Sequence, residues 1–440
     1  MTYLAEDFGA KADGITDNTE ALQQALNLCS EAGGGIVLLG RGTYISGTLQ
    51  IKSNTELRIE KGAVLEAIFE PSAYPEISLM LSQDGCNETT QPEQKGYSFL
   101  YSFQAHEIRL SGEGIVYVGG ERFRDLSVRP FLLRVNECSR VSVEGLSFLQ
   151  SASWCFHIHR SEKVKVEGLK IRSEGIRNGD GIDIDSSSDV EILNCDIQTC
   201  DDAICLKTTT EKSCTQIRVR DCVLESSCSA FKIGTETVGD FSNIEVSHCS
   251  ILGSGVVAIK ITAVDGGSVR NVSFSDLSVR NATGPIFLAT GDRRRNYMYE
   301  STSSRRSTIE NVTFRRIEIE TTRYLRYESG KPVYDSGQGI VVSGAPKQEI
   351  SNIFFEEMKV SFWGGIEHKE ILQKKIPYLT NEYPECHKLG VLPSYGYYFQ
   401  YAKNIQIINC KERLLNTDVR PLMNKGPGTT LGLQTISLEE

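Results

Sequence analysis

Short stretches of alternating apolar and polar residues recur along most of this chain. Val141-Ser-Val-Glu-Gly-Leu-Ser-Phe, Val164-Lys-Val-Glu-Gly-Leu-Lys-Ile, Val190-Glu-Ile-Leu-Asn-Cys-Asp-Ile, Ile217-Arg-Val-Arg-Asp-Cys-Val-Leu and Ile244-Glu-Val-Ser-His-Cys-Ser-Ile share one template. The template returns at Val272, Val312, Ile353 and Ile405, and its first steps are 23, 26, 27, 27 and 28 residues. Alternation with period two, rich in Val and Ile, marks strands and argues against helical repeats. A fixed period of this length, holding two or three short strands, predicts an all-β solenoid, the parallel β-helix. Each turn should lie one strand spacing, about 4.8 Å, above the last.

Two repeat positions carry further expectations. Cys195, Cys222, Cys249 and Cys410 share one position and are expected to form an interior stack of small apolar side chains. Asn271-Val-Ser and Asn311-Val-Thr match glycosylation sequons, but both asparagines sit just before a strand, so a turn role is expected.

Near the start, the pattern changes to helical spacing. Ala21, Leu22, Ala25, Leu26, Leu28 and Cys29 follow an N-cap candidate at Thr16–Asn18 and stop at Gly33-Gly-Gly35. Strand-like runs begin at Ile36 and Tyr44. The helix would cover the open end of a solenoid, where unpaired strand edges need protection.

Three insertions break the period, at about 66–105, 291–307 and 362–403. The first has a polar middle from Cys86 to Lys95, and the second holds Arg293-Arg-Arg295, Tyr297, Tyr299 and Arg305-Arg306. The third is aromatic, with Trp363, Tyr378, Tyr383, Tyr395, Tyr397 and Tyr398, besides His368 and His387. Such loops form a binding wall, shield the solenoid, or make a subunit contact in a homo-oligomer. No second domain boundary is visible, so residues 1–440 are expected to form a single parallel β-helix domain with loop insertions.

Composition narrows the classes. The 440 residues are 40% hydrophobic and 24% charged, with a net charge of −10. A pI near 5.4 argues against nucleic acid as a partner. No apolar run is long enough to cross a membrane, and Met1-Thr-Tyr-Leu-Ala-Glu-Asp lacks the basic and apolar regions of a secretory leader. With thirteen cysteines and no metal-type spacing, the expectation is a cytoplasmic protein, or a secreted one if a leader has been removed.

The candidate chemistry lies between Asn178 and Lys260. Aligned on the repeat, Asp180-Gly-Ile-Asp183-Ile sits over Asp202-Ala-Ile-Cys205-Leu, then Ser229-Ala-Phe-Lys232-Ile, then Val257-Ala-Ile-Lys260-Ile. Ile182, Ile204, Phe231 and Ile259 should point inward, and Asp183, Cys205, Lys232 and Lys260 outward. Strict alternation would bury Asp180 and Asp202 in the core, so a corner near Gly181 and Ala203 is expected to turn them out. They would then be neighbours on successive turns, with Asp201 beside them. Clustered carboxylates can serve glycosidic cleavage, hold calcium, or form a structural ladder. Residue types alone leave all three open.

The motifs Asn178-Gly-Asp180-Gly and Asp201-Asp202, in this order behind a capping helix, resemble glycoside hydrolase family 28, the polygalacturonase family. The resemblance covers nearly the whole chain and implies a right-handed parallel β-helix of the pectate-lyase type. It implies an inverting hydrolase of a pectin-related oligosaccharide, containing uronate or rhamnose, with no metal and no cofactor. Asp201 would be the general acid, and Asp180 with Asp202 would hold the attacking water. The family's Asn-Thr-Asp-Gly has Gly179 here in place of Thr. Its Gly-His-Gly is replaced by Cys228-Ser229-Ala230, and its Arg-Ile-Lys by Ala258-Ile-Lys260. Those basic groups help bind the galacturonate carboxylate in the family.

Substrate-binding candidates are Asn178, Asp183, Ser229, Lys232, Lys260, Trp154 and His157. Lys232 and Lys260, one turn apart, repel unless an anion lies between them: a uronate, Asp183 or Glu236. The insertions favour a short substrate taken from its end. A hydrolase of neutral sugars, a uronate lyase or epimerase, and a non-catalytic carbohydrate-binding β-helix are the other readings.

Overall fold

A computed structural model describes residues 1–77, 96–294, 305–323, 325–328, 331–334, 339–369, 372 and 375–439. The polar middle of the first insertion, Tyr297 and Tyr299 lie outside the described residues. The chain divides into two compact units, Met1–Cys205 and one beginning at Leu206.

In the first unit the repeat coils as three files of parallel strands. One turn is Ser139–Glu144, Ser147–Leu149 and Phe156–His159. The next is Glu162–Glu167, Lys170–Ser173 and Ile182–Asp185. Val141 pairs with Val164 and Val164 with Val190. Phe148, Ile171 and Ile197 stack likewise, as do Leu133, Phe156 and Ile182. All of these side chains are buried, because alternation gives every strand one apolar edge to turn inward.

The expected helix forms over Thr19–Glu31 and packs on strands Gly35–Leu39, Leu49–Gln50 and Thr55–Ile59. Leu22, Ala25, Leu26 and Cys29 are buried, the i, i+3, i+4, i+7 stripe. Leu28, counted among the apolar positions, falls off that stripe and is 44% exposed. Asn18 ties down the preceding loop rather than capping the helix. Its side chain accepts the Lys11 N–H at 2.7 Å and donates to the Thr16 carbonyl at 2.8 Å. Asp17 instead accepts the Thr19 N–H at 2.9 Å.

In the second unit the template positions pair with one another in register. Ile217, Ile244, Val272, Val312, Ile353 and Ile405 form one continuous file. Phe274 and Phe314 stack at 5.1 Å, and Phe314 and Phe355 at 5.3 Å, inside the coil. The cysteines predicted to face inward do so: Cys222, Cys249 and Cys410 are at most 2% exposed, as is Cys195 in the first unit. Each thiol donates to the carbonyl two residues earlier, at 3.2 to 3.6 Å, which satisfies a bend that cannot pair with another strand.

The sequon asparagines also take the expected turn role. Asn243, Asn271, Asn311, Asn352 and Asn404 all have φ between 53° and 57°. Their amides form a ladder, each donating to the one below: Asn271 to Asn243, Asn311 to Asn271, Asn352 to Asn311 and Asn404 to Asn352. An antiparallel hairpin, Leu325–Glu328 with Lys331–Tyr334, was not expected from the sequence. No helix among the described residues is long and apolar enough to cross a membrane.

Candidate active site

Three successive rungs of the first unit position its aspartates. The Cys155 N–H donates to the Asp180 carbonyl at 2.9 Å, the Gly181 N–H to the Asp202 carbonyl at 2.9 Å, and the Ile182 N–H to the Ala203 carbonyl at 3.0 Å. Parallel pairing of this kind sets Asp180 beside Asp202. The carboxylates of Asp201 and Asp202 approach within 4.8 Å of one another, and so do those of Asp180 and Asp183. Asp201 Oδ1 accepts the Asp202 N–H at 3.0 Å, and the Thr199 hydroxyl donates to the Asp201 carbonyl at 2.6 Å. Asp180 and Asp202 are 3% and 1% exposed. Asp201 is only half-buried, the most open of the three.

The close fit of this rung explains two glycines. A Cβ on Gly181 would lie 2.4 Å from the Ala203 carbonyl oxygen and 2.7 Å from Ile197 Cγ2. A Cβ on Gly179 would lie 2.8 Å from Cys200 Sγ and 3.0 Å from Ser173 Oγ. Cys200 itself donates to the Ile176 carbonyl, so it is not free to swing away. Asn178 precedes this rung with φ 55°, half-buried.

Asp180, Asp183 and Cys205 each offer one donor atom within 4.8 Å of the others. Two carboxylates and a thiol are a poor set for calcium, which takes six to eight oxygens.

Asp183 begins a wall of buried polar side chains. Arg134, His157 and Asp183 share one register column, and Asn136, His159 and Asp185 the next. The Arg134 Nε–H donates to His157 Nδ1 at 3.0 Å, and His157 Nε2 lies 3.5 Å from Asp185. His159 Nδ1 and Asn136 Oδ1 are 2.6 Å apart. Burial, only partly offset by Asp185, drives the His159 pKa down to about 3, so the ring is neutral. The Trp154 ring stands edge-on to His157 at 5.1 Å and lies 5.6 Å from Phe131. Trp154 is 5% and His157 3% exposed, so neither offers an open face to a sugar.

The second unit carries the lysines. Register sets Lys232 beside Lys260, with Phe231 beside Ile259 and Ser229 beside Val257. Phe231 faces inward onto Phe274, 5.4 Å away, so the lysines point out of the coil as expected. They are not open to solvent, however. Lys260 is fully buried and Lys232 nearly so, as are Ser229 and Ala258. The 362–403 insertion accounts for the lysines' burial. Lys260 Nζ donates to Glu385 Oε1 at 2.8 Å, and Lys232 Nζ to the Tyr383 hydroxyl at 3.3 Å. Burial would lower the Lys260 pKa, but the charge of Glu385 outweighs it and holds the ammonium protonated.

Tyr383 lies under three cations: Lys232, Lys260 and Arg293 are 5.9, 5.3 and 5.7 Å from its ring centre. Glu236 lies 3.6 Å from Lys207. Burial would raise its pKa, but Lys207, Arg293 and Lys232 bring it down to about 2. Arg293, from the second insertion, clamps Asp265 at 2.6 Å and the Thr235 carbonyl at 2.7 Å. Tyr395 is 8% exposed and packs edge-on to Phe362, so it is no stacking platform.

The expectation that Asp183, Ser229 and Lys260 bind substrate therefore needs correcting, because all three are fully covered. The repeat fixes which way a side chain leaves its strand, but not which distant segment lies over it. Sequence reasoning missed Arg134, Asn136, His159 and Asp185. Their signal was present, since Arg134-Val-Asn136, His157-Ile-His159 and Asp183-Ile-Asp185 put polar residues at outward positions of consecutive turns. Glu385 had no such signal, because it lies in a loop outside the repeat.

Comparison with known proteins bears on both fold and family. Residues 82–357 match the family model of glycosyl hydrolases family 28, and residues 4–59 that of rhamnogalacturonase A/epimerase, pectate lyase-like proteins. A probable polygalacturonase of Vitis vinifera is 24% identical over 296 residues, covering 62% of this chain and 60% of the relative. The chain thus spans about three fifths of that relative's length. The family 28 exopolygalacturonase of Yersinia enterocolitica superposes with a TM-score of 0.74 at 16% identity, over 99% of this chain and 78% of the other. The exopolygalacturonase of Thermotoga maritima gives 0.68 at 19% identity, over 93% and 92%. These likenesses are of fold, the right-handed parallel β-helix. Because the family model spans well over half the residues, the chain belongs to glycosyl hydrolases family 28.

Proposed function

We propose that this protein is an inverting glycoside hydrolase acting on a pectin-related oligosaccharide. The observation that carries the reading is the pairing of Asp180 with Asp202 on adjacent rungs, with the half-buried Asp201 beside them, in a member of this family. Glycosidic cleavage needs one carboxylic acid to protonate the leaving oxygen and a carboxylate to activate water on the opposite face. Asp201, the most open, is suited to reach a leaving oxygen. Asp180 and Asp202, nearly enclosed and side by side, are suited to hold a water.

The buried rows Arg134–His157–Asp183 and Asn136–His159–Asp185 support this role by fixing the strands beneath those aspartates. Trp154 and His157 then position the site rather than touch the sugar. Action at a chain end is part of the proposal. It is supported by the exopolygalacturonases among proteins of the same fold.

Asp201→Asn is expected to lower kcat by about 10²–10⁴-fold with little change in KM, the loss of a general acid. NMR of the first product released from defined pectic oligosaccharides should show inverted anomeric configuration and single units from one end. Retained configuration would refute the mechanism, and early cleavage of internal bonds the end-acting mode. An Asp201→Asn variant as active as the parent would remove the acid assignment.

A further inference from the structure

We propose that Arg129 is a positioning residue for Asp180. Its buried guanidinium fixes the backbone on both sides of that aspartate, and turnover depends on it although it is nearly enclosed. The inference deepens the hydrolase reading and rests on it for the word turnover.

Asp180 lies at the end of a segment outside the strands. Residues 174–181 join strands Lys170–Ser173 and Ile182–Asp185, and Glu174, Gly175 and Arg177 are exposed. Backbone groups outside a ladder need other partners, or the segment opens on its own. Here three successive carbonyls are taken up by side chains. The Gly175 carbonyl accepts from the Arg124 guanidinium at 2.8 Å, the Ile176 carbonyl from the Cys200 thiol, and the Arg177 carbonyl from the Arg129 guanidinium. The Ile176 carbonyl also accepts the Gly179 N–H at 3.0 Å, which closes the turn just before Asp180.

Arg129 differs from the other two donors in what else it holds. Its Nε–H donates to the Ala152 carbonyl at 2.9 Å. Ala152 lies three residues before Cys155, whose N–H donates to the Asp180 carbonyl at 2.9 Å. Arg177 lies three residues before Asp180 itself. One guanidinium thus ties the segment leading into Asp180 to the segment that Asp180 pairs with. The linkage is short, since three residues span at most about 10 Å.

The choice of arginine follows from its shape. Arg129 is 4% exposed, and a cation so enclosed costs desolvation. Its planar fork meets two carbonyls on different segments at once, which the single ammonium of a lysine does not reproduce. Asp180 is 3% exposed and sits beside Asp202, so its place is set by its backbone. A carboxylate that must hold a water at one point loses rate steeply when it is displaced.

Two measurements test this, one with turnover and one without. The kcat and KM of the parent and of Arg129→Lys would be measured on a defined pectic oligosaccharide, well below the unfolding midpoint of each protein. Arg129→Lys keeps the charge and loses the fork. It is expected to lower kcat by about tenfold to a hundredfold, with KM within about twofold of the parent's. A residue that only stabilises the fold would lower the urea midpoint and leave the kcat of folded protein unchanged. The second measurement follows Trp154, which lies two residues after Ala152 and is 5% exposed. In a Trp363→Phe background, Arg129→Lys should shift its emission to the red and open it to acrylamide quenching.

If Arg129→Lys folds and keeps the parent's kcat, or leaves Trp154 as enclosed as in the parent, the assignment of Arg129 is overturned. If the parent cleaves no pectic oligosaccharide, the hydrolase reading fails, and the Trp154 measurement still decides whether Arg129 fixes this backbone. Should Arg129→Lys not fold, Arg124→Ala is the second variant, because it removes an exposed bond to the same segment. It should lower kcat by about two- to fivefold at unchanged KM, and a kcat equal to the parent's would overturn the proposal.

Discussion

Gly179 shows how one residue's identity is set by a neighbour far along the chain. Cys200 Sγ occupies the space that a Cβ would take, at 2.8 Å. Gly179→Thr, which restores the residue that the family motif carries, is therefore expected to overpack this rung. The cost should be about 1–3 kcal/mol in urea unfolding, with a loss of activity as Asp180 shifts. Adding Cys200→Ala should recover part of both, since the Ile176 carbonyl oxygen still lies 2.9 Å from the same Cβ. If the double variant is no better than Gly179→Thr alone, the collision with Cys200 is not the reason for the glycine. The roles proposed for the three aspartates rest on the same scale. Asp201 differs from Asp180 and Asp202 in exposure and not in chemistry, and that difference comes from where each falls relative to a bend.

Among the elements, the asparagine ladder joins turn geometry to side-chain pairing. Asn352 has φ 56°, donates to Asn311 at 3.0 Å and accepts from Asn404 at 2.8 Å. Asn352→Ala loses both bonds and places a Cβ-bearing residue without local support in the left-handed region. The expected destabilisation is about 1–2 kcal/mol. Asn352→Gly loses the bonds but relieves the backbone, so it should cost measurably less. Equal costs in chemical denaturation would show that the ladder matters and the φ angle does not. The ladder also explains why Asn271 and Asn311 fit a glycosylation pattern without needing that role, since their amides are already used within the coil.

At the scale of the whole molecule, stability should depend on pH through a carboxyl near the C-terminal end. Glu412 is fully buried and accepts from the Tyr397 hydroxyl. Burial pushes its pKa from 4.5 up to about 7, against the opposing effect of that hydrogen bond. The folded chain thus binds this proton more tightly than the unfolded chain. The contribution is complete below about pH 4.5 and is lost as pH rises through 7, on the order of 3 kcal/mol over the window. Glu412→Gln should unfold in urea with a flatter pH dependence between those values and be the more stable protein at pH 8. Parallel profiles for variant and parent would remove Glu412 from the account. Glu236 acts in the opposite sense. Its pKa is held near 2, so its contribution is present above about pH 4.5 and fades only as pH falls toward 2.

Much of this architecture was legible in the order of residues, for a physical reason. A solenoid turn packs chiefly on the turns before and after it, so its contacts are nearly local and repeat with the sequence period. Alternation at Val141, Val164 and Val190 gave the strands, and their spacing gave the register that the structure has. The same logic placed Asp180 beside Asp202 and Lys232 beside Lys260. The buried cysteines and the turn asparagines followed as well.

What covers those columns was decided only in three dimensions. Glu385 reaches Lys260 across 125 residues, and Arg293 reaches Asp265 from an insertion that breaks the period. Neither pairing has a period, because an insertion meets the coil wherever its own apolar anchors, here Cys386 and Leu389, happen to pack. The sequence alone therefore determined the coil and which residues share a column along it. Tertiary structure decided which of the outward groups are covered, because that depends on where a distant insertion finds its apolar packing.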